Sequence, residues 1–247
     1  MLSKHYINDV IINYTRKPLS DNFYDFNNLC KFITEYDYPF LEPFFSEKRM
    51  HIIYWNKSKT YWVMMKNGAH DIILKEIKEQ IKNKHDDLEN INRIIEILPC
   101  SLDCIVEKFT VTDINDLNTN RILSSSKILY VSEIQKYNIK TGYKYIPLGS
   151  NIEDDRVFVG TIIGENIVSL CSMTFPSYDT CITIGMNTEE TCRYNGYATS
   201  NLILMTKYIM EKGASVHYSC KTQNIASKNT AISAGFSNVA RVYQIIM

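Results

Sequence analysis

The residues best placed to do chemistry lie at 188–198, where Thr188-Glu189-Glu190-Thr191-Cys192-Arg193-Tyr194-Asn195-Gly196-Tyr197-Ala198 joins an apolar, strand-like run to an amphipathic helix. A strand that ends in such a turn and opens into a helix leaves the first helical N–H groups without intrahelical acceptors. They converge at the positive end of the helix dipole. That arrangement is an anion site, and it suits a pyrophosphate. Gly196 lets the backbone approach the phosphates closely, and Arg193 adds a positive charge. The pattern Arg-x-x-Gly-x-Ala is short enough to arise by chance, so its meaning comes from its position at a strand–helix junction. An ordinary solvated charge is the competing reading of Arg193.

Other chemistries find no support in the sequence. There is no Gly-x-x-x-x-Gly-Lys-Ser/Thr and no Gly-x-Gly-x-x-Gly after a strand, so neither a P-loop nor a dinucleotide fingerprint is present. A Gly-x-Ser-x-Gly nucleophile elbow is also missing. The seven cysteines are scattered at 30, 100, 104, 171, 181, 192 and 220. Only Cys100 and Cys104 are close, with no second pair or nearby His to complete a metal site, so no metal is expected. They read as free thiols packed as small hydrophobes in a reducing compartment. Residues 1–17 lack the apolar core of a signal peptide and no run is long enough to span a bilayer, so a cytoplasmic protein with no membrane partner is expected. Formal net charge is zero, which argues against nucleic acid as a partner.

The elements that must hold the 188–198 junction can be read from periodicity. In a chain of 247 residues, 45% hydrophobic and 22% charged, the core can be large and the class is soluble globular. Apolar residues at 23, 26, 29, 30 and 33 predict a helix over 21–36. The run HIIYWNKSKTYWVMM predicts a hairpin about Asn56–Lys59, and its aromatics Tyr54, Trp55, Tyr61 and Trp62 divide between two faces. Helices follow at 71–83 and 86–98, the second stopped by Pro99. The polar stretch 112–126 ends in three serines and marks the expected boundary, giving a smaller α+β domain at 1–125 and a second domain at 126–247. In the second domain, 157–163 and 167–175 form a hairpin about Gly164, and a loop around Pro176 leads to a strand at 180–188. A helix at 196–212 ends at Gly213, a strand covers 214–220, a helix spans 224–234 before Gly235, and a strand pair closes the chain. The order β-β-β-α-β-α-β is mixed α/β.

On these residues, 157–247 resemble the GNAT superfamily of acyl-CoA N-acyltransferases. Arg193-x-x-Gly196-x-Ala198 matches its pyrophosphate loop, Thr188 sits where its fourth strand ends, and Asn224 opens the helix after its fifth. The run Asn224-x-x-Ser227-x-x-x-Ala231-x-x-x-Gly235-Phe236 is similar to the branch related to zwittermicin-resistance acetyltransferases. The first 125 residues match nothing in the family's pattern and are open to being a degenerate copy of the same fold.

The resemblance implies a GNAT-type fold that uses acetyl-CoA as co-substrate and passes its acetyl group to a primary amine, here of a small molecule, by direct attack. It further implies that Arg193, Tyr194, Asn195, Gly196, Tyr197, Ala198 and Thr199 hold the pyrophosphate. Met186, Asn187 and Thr188 pair with pantetheine in a gap between splayed strands, and Asn224 and Ser227 hold its far end. The N-terminal domain would wall the acceptor cleft. The chain departs from the pattern at Ala231, where many relatives carry a tyrosine acid, and no carboxylate lies between Asp179 and Glu189. Acid and base therefore stay unassigned, with Glu189, Tyr218 and Cys220 as candidates beside Tyr178, Asp179 and His217. For these the competing readings are solvated loop charges at 179 and 189, a strand-surface His217, and packing for Tyr218 and Cys220. A non-catalytic CoA-binding module with the same fold is the alternative.

Overall fold

The computed structural model describes residues 30–33, 49–57, 60–64, 87–97, 100–141, 157–178 and 181–246. In chain order the strands and helices are β1 (Cys30–Ile33), β2 (Arg49–Trp55), β3 (Thr60–Met64), α1 (Asp87–Ile97), β4 (Ser101–Val111), β5 (Ser126–Tyr130), α2 (Val131–Ile134), β6 (Asn138–Ile139), β7 (Val157–Ile163), β8 (Asn166–Tyr178), β9 (Cys181–Thr188), α3 (Tyr197–Glu211), β10 (Ser215–Lys221), α4 (Ile225–Ala234) and β11 (Ser237–Ile246). The class is mixed α+β. From β7 onward the element order is the β-β-β-α-β-α-β expected from the sequence.

Two compact units share these elements, and they do not follow one cut in the chain. One takes residues up to Lys108 together with 219–223 and 238–247; the other takes 109–218 and 224–237. The sequence suggested a linear split at 125/126 instead. The polar stretch 112–126 is no linker: it belongs to the second unit and makes two short 3-10 turns, Ile114–Asp116 and Thr119–Arg121. Asn118 there donates its backbone N–H to the Ala234 carbonyl at 3.2 Å and its Nδ2 to the Ser233 carbonyl at 2.9 Å. Polar residues in this stretch tie down the end of α4, which a composition signal cannot show.

In the first unit the strand order is β1-β3-β2-β11-β4. The hairpin about residues 56–59 forms as the alternation predicts, with Tyr54 opposite Tyr61 and their rings 4.9 Å apart. Directly opposed residues share a face, and that face is the core side, since Tyr61 is buried. Amphipathic α1 lays Ile91 and Ile94 on Met50, Ile52, Tyr61, Tyr243 and Ile245. Each such side chain contributes about 1.5–3 kcal/mol on burial. Of the helix expected over 21–36, Cys30–Ile33 is instead a strand, parallel to β3. Four residues, Cys-Lys-Phe-Ile, are too few to distinguish the two periods. The remainder of that helix and the helix expected at 71–83 lie outside the described residues.

In the second unit the order is β10-β9-β8-β7-β5, with β9 and β10 parallel and the other neighbours antiparallel. The hairpin turn at Gly164 has φ +60°, a conformation that glycine adopts at little cost. The loop expected around Pro176 is strand, because β8 runs on to Tyr178 with a register shift between Thr174 and Tyr178. The closing strand pair is a single strand, β11. Helix α3 packs across β5, β7, β8 and β9, burying Leu202, Ile203, Met205 and Ile209. Both long helices of this unit end in the double hydrogen-bond pattern of a glycine C-cap. Gly213 and Ala214 donate to Met210 and Ile209, and Gly235 and Phe236 to Ile232 and Ala231.

Candidate functional site

Three segments of the second unit converge on a cleft of about 510 Å³: the end of β9, the turn into α3, and the exposed face of α4. Its opening begins where strands part. The registered pairing of β9 with β10 covers only Cys181–Thr183 against Ser215–His217, while β9 runs on to Thr188. Met186, Asn187 and Thr188 line the cleft beyond that point, with Tyr218 from β10.

The backbone of β9 offers polar groups there. Glu189 donates its N–H to the Val168 carbonyl at 2.8 Å, and Ser169 stands opposite Thr188, Cys171 opposite Met186. Antiparallel pairs alternate, so Met186 and Thr188 turn their N–H and C=O groups away from β8. Thr188 N–H is taken up by the Asn187 Oδ1 at 2.9 Å, and Asn187 Nδ2 donates to the Thr141 carbonyl at 2.7 Å. The Met186 N–H and C=O are thus the backbone pair presented to an extended ligand.

The turn into α3 presents the N–H groups of a helix N-terminus. Glu190–Cys192 makes a 3-10 turn, Asn195 Nδ2 donates to the carbonyls of Cys192 and Arg193, and Gly196 is the N-cap with φ +79°. The first helical bond is Ser200 N–H to the Gly196 carbonyl at 2.9 Å, so the N–H groups of Tyr197, Ala198 and Thr199 precede any intrahelical acceptor. Gly196 brings no capping side chain, and a Cβ placed on it meets nothing within 4 Å. The space beside this turn is open to a ligand. Arg193 is half exposed, and its 3.9 Å contact with Glu190 is a weak surface pair that leaves the guanidinium able to turn to an anion. Tyr194 is almost wholly exposed and has φ +66°, an unusual backbone for a side chain of its size.

Helix α4 closes the third side. Asn224 caps it, its Oδ1 accepting the Ser227 N–H at 3.1 Å, which leaves the NH₂ end of the amide as the group able to reach a ligand. Ser227 lines the cleft, as do Ala226, Asn229, Thr230 and Ser233, none of which the sequence singled out. They share one face of α4 with Ser227, a periodicity that was visible but carries no chemical signature.

Of the residues expected at the cofactor, Met186, Asn187, Thr188, Arg193, Tyr194, Gly196, Tyr197, Ala198, Thr199, Asn224 and Ser227 line this cleft, and Asn195 braces the turn from within. Cys192 joins them unannounced. Tyr218 lines it too, buried and edge-on to Phe236 at 6.3 Å. Glu189 does not; its carboxylate lies 4.0 Å from the Cys192 Sγ. Cys220 belongs to the first unit. His217, read as a strand-surface residue, is fully buried, because β10 is covered on both faces. Asp179 and the side chain of Tyr178 lie outside the described residues. Ala231, at the position where the resemblance implied a tyrosine acid, is fully buried and is not one of the lining residues of the cleft. Among the described residues no Asp, Glu, Lys or His lines the cleft, and no group of three metal-ligating side chains occurs. No helix among them is long and apolar enough to cross a membrane.

The sequence matches no protein-family model and no curated protein. Solved structures that are similar include a GNAT-family acetyltransferase from Colwellia psychrerythraea, at 13% identity over 76% of each chain with a TM-score of 0.47. A GCN5-related N-acetyltransferase from Kribbella flavida is 12% identical over 63% of each chain, with a TM-score of 0.45. A GCN5-related N-acetyltransferase-like protein from Streptococcus suis is 16% identical over 65% of this chain and 68% of that one, with a TM-score of 0.44. At these distances none of them decides what the cleft does; its own residues must.

Proposed function

We propose that the second unit binds acetyl-CoA and transfers its acetyl group to the primary amine of a small molecule. The observation that carries this reading is the meeting, in one cleft, of a helix N-terminus that opens at a glycine and a strand end with outward-turned amide groups where pairing has stopped. Tyr197, Ala198 and Thr199 N–H groups with Arg193 suit a pyrophosphate. The Met186 N–H and C=O suit the amide-bearing pantetheine arm, which can lie along β9 as an added strand. A volume of about 510 Å³ is in the range of small-molecule sites.

Acetyl-CoA supplies an activated acyl thioester. The chain's part is to hold its carbonyl against a fixed N–H donor, of which Met186 is the one available on β9, and so favour the oxyanion that forms when an amine attacks. The amine must arrive neutral or lose its proton, since its ordinary pKa is near 10. Among the described residues no carboxylate or imidazole lines the cleft to take that proton, so water would carry it, and Thr188 and Tyr218 are the lining hydroxyls on the parted strands.

That same lack of a carboxylate or imidazole favours a second reading, a module that binds CoA without catalysis. The two separate in one assay. The purified protein is given acetyl-CoA and a panel of primary amines, and free thiol is followed with time. Amine-dependent thiol release with an acetylated amine as product supports the transferase; tight CoA binding with no amine-dependent release supports the module.

A further inference from the structure

Beneath the first turns of α3 a chain of buried hydroxyl and amide groups runs across the sheet and ends at the cleft. The backbone N–H of Leu123 meets Ser200 Oγ at 2.9 Å, and Ser200 Oγ lies 2.7 Å from Ser126 Oγ. Ser126 Oγ is 3.2 Å from Thr161 Oγ1, which is 3.0 Å from Asn201 Oδ1. Asn201 Nδ2 reaches the Ser169 carbonyl at 3.2 Å and Ser169 Oγ at 3.1 Å. Ser169 Oγ is 2.8 Å from Thr188 Oγ1. Ser200, Asn201, Thr161 and Ser169 are fully buried.

The direction of the bonds from Leu123 to Asn201 follows from one fixed point. The Ser169 carbonyl can only accept, so the Asn201 amide must face it with Nδ2, which leaves Oδ1 toward Thr161. Thr161 therefore spends its single proton on Asn201, Ser126 must donate to Thr161, and Ser200 must donate to Ser126. Leu123 N–H, which can only donate, agrees at the far end. On the other side Ser169 Oγ accepts from Asn201, and within this chain of groups Thr188 Oγ1 is the one atom left to accept the proton of the buried Ser169 hydroxyl. Thr188 thus receives a hydrogen bond from behind while its own proton remains to be given. Thr188 lines the cleft.

We propose that the Thr188 hydroxyl is a built-in hydrogen-bond donor for a carbonyl of the ligand's acyl-pantetheine arm, and that Asn201 is the positioning residue that fixes its polarity. This rests on the acyl-CoA reading of the cleft. A hydroxyl that both donates and accepts would recognise either kind of partner. One that already accepts from the protein interior still has its single proton to place, and a thioester or amide carbonyl is the acceptor such an arm brings. Successive donors in a low-dielectric chain also strengthen one another. The line of polar residues explains why α3 buries Ser200 and Asn201 where apolar residues would pack more cheaply.

The test compares CoA with 3′,5′-ADP, which lacks the pantetheine arm and the phosphate that carries it, by calorimetry. Thr188→Val keeps shape and removes the donor, and is expected to weaken CoA about five- to tenfold, the size of one neutral hydrogen bond. It should leave 3′,5′-ADP unchanged. Thr188→Ser keeps the hydroxyl and should stay within about twofold of the parent for both. Ser169→Ala leaves Thr188 unanchored and should weaken CoA alone. Thr110→Val, which removes a buried hydroxyl bonded to the Val216 carbonyl away from this chain, controls for lost stability. CoA binding unchanged in Thr188→Val would overturn the proposal while the acyl-CoA reading stands. Equal losses for CoA and 3′,5′-ADP would make Thr188 merely structural and would also overturn it. A parent protein that binds neither ligand would remove the reading itself, and the proposal with it.

Discussion

Replacing Gly196 separates the backbone of the anion turn from the rest of the fold. The residue sits at φ +79° with open space where a Cβ would go, so a side chain meets no steric wall. Gly196→Val pays only the left-handed backbone penalty, about 1–2 kcal/mol. For a chain of this size that lowers Tm by roughly 2–8 °C. Ligand binding should suffer far more. The new side chain stands beside the N–H groups of Tyr197, Ala198 and Thr199, and displacing a phosphate from two of them forfeits charge-assisted bonds of about 1.5–3 kcal/mol each. The sum, about 3–6 kcal/mol, raises the CoA Kd by roughly 10²–10⁴. Gly196→Asn, whose side chain tolerates the left-handed region, should recover most of the Tm while binding stays poor. Calorimetry with CoA and a thermal melt on each variant give both quantities. A Gly196→Val protein that binds CoA within threefold of the parent would mean the phosphates do not sit on this turn.

Gly235→Ala should be the most damaging small change in the unit. Its φ is +103° and an added Cβ would run into the Asp116 backbone carbonyl, so clash and backbone strain together cost about 3 kcal/mol or more, read as a Tm drop of roughly 6–12 °C. Ala231→Tyr should instead lower stability by about 1–3 kcal/mol, because residue 231 is fully buried; a variant that melts with the parent would refute its placement. Cys192 should react with a bulky maleimide in the native protein and be protected by CoA, since it lines the cleft. Cys171 should stay unmodified until the protein unfolds, because burial shields it from the reagent and pushes its thiol up, and peptide mapping would show the difference.

Much of the second unit was legible because its signals were local. Gly164 announced a hairpin, Asn224 and Gly235 bracketed α4, and Arg193 with Gly196 marked a turn whose chemistry follows from helix geometry alone. What stayed hidden depends on tertiary burial. Nothing in the residue types of Ser200, Asn201 and Thr206 announces burial, yet all three are buried in α3, two of them in a network whose partners lie 32 to 77 residues away. Ala231 shows the same limit, since spacing from Asn224 counts positions but does not say that the position is fully buried. In the first unit the pattern at 29–33 fitted a helix, and pairing of Cys30–Ile33 with β3 decided for strand. The polar stretch at 112–126 looked like a linker because its bonds to Ser233 and Ala234 close over more than a hundred residues.

The pairing of β11 with β2 has a consequence for how the chain is made. Arg49 pairs with Ile246 and Trp55 with Ala240, so β2 waits for a partner synthesised nearly two hundred residues later. At translation rates of about 5–20 residues per second that delay is roughly 10–40 s. Throughout it, an apolar strand with Ile52, Ile53 and Trp55 has one edge without its final neighbour. Residues 109–218 can meanwhile assemble most of their own sheet. Nascent chains stalled before residue 237 should therefore hold a native-like second unit beside a first unit that recruits chaperones.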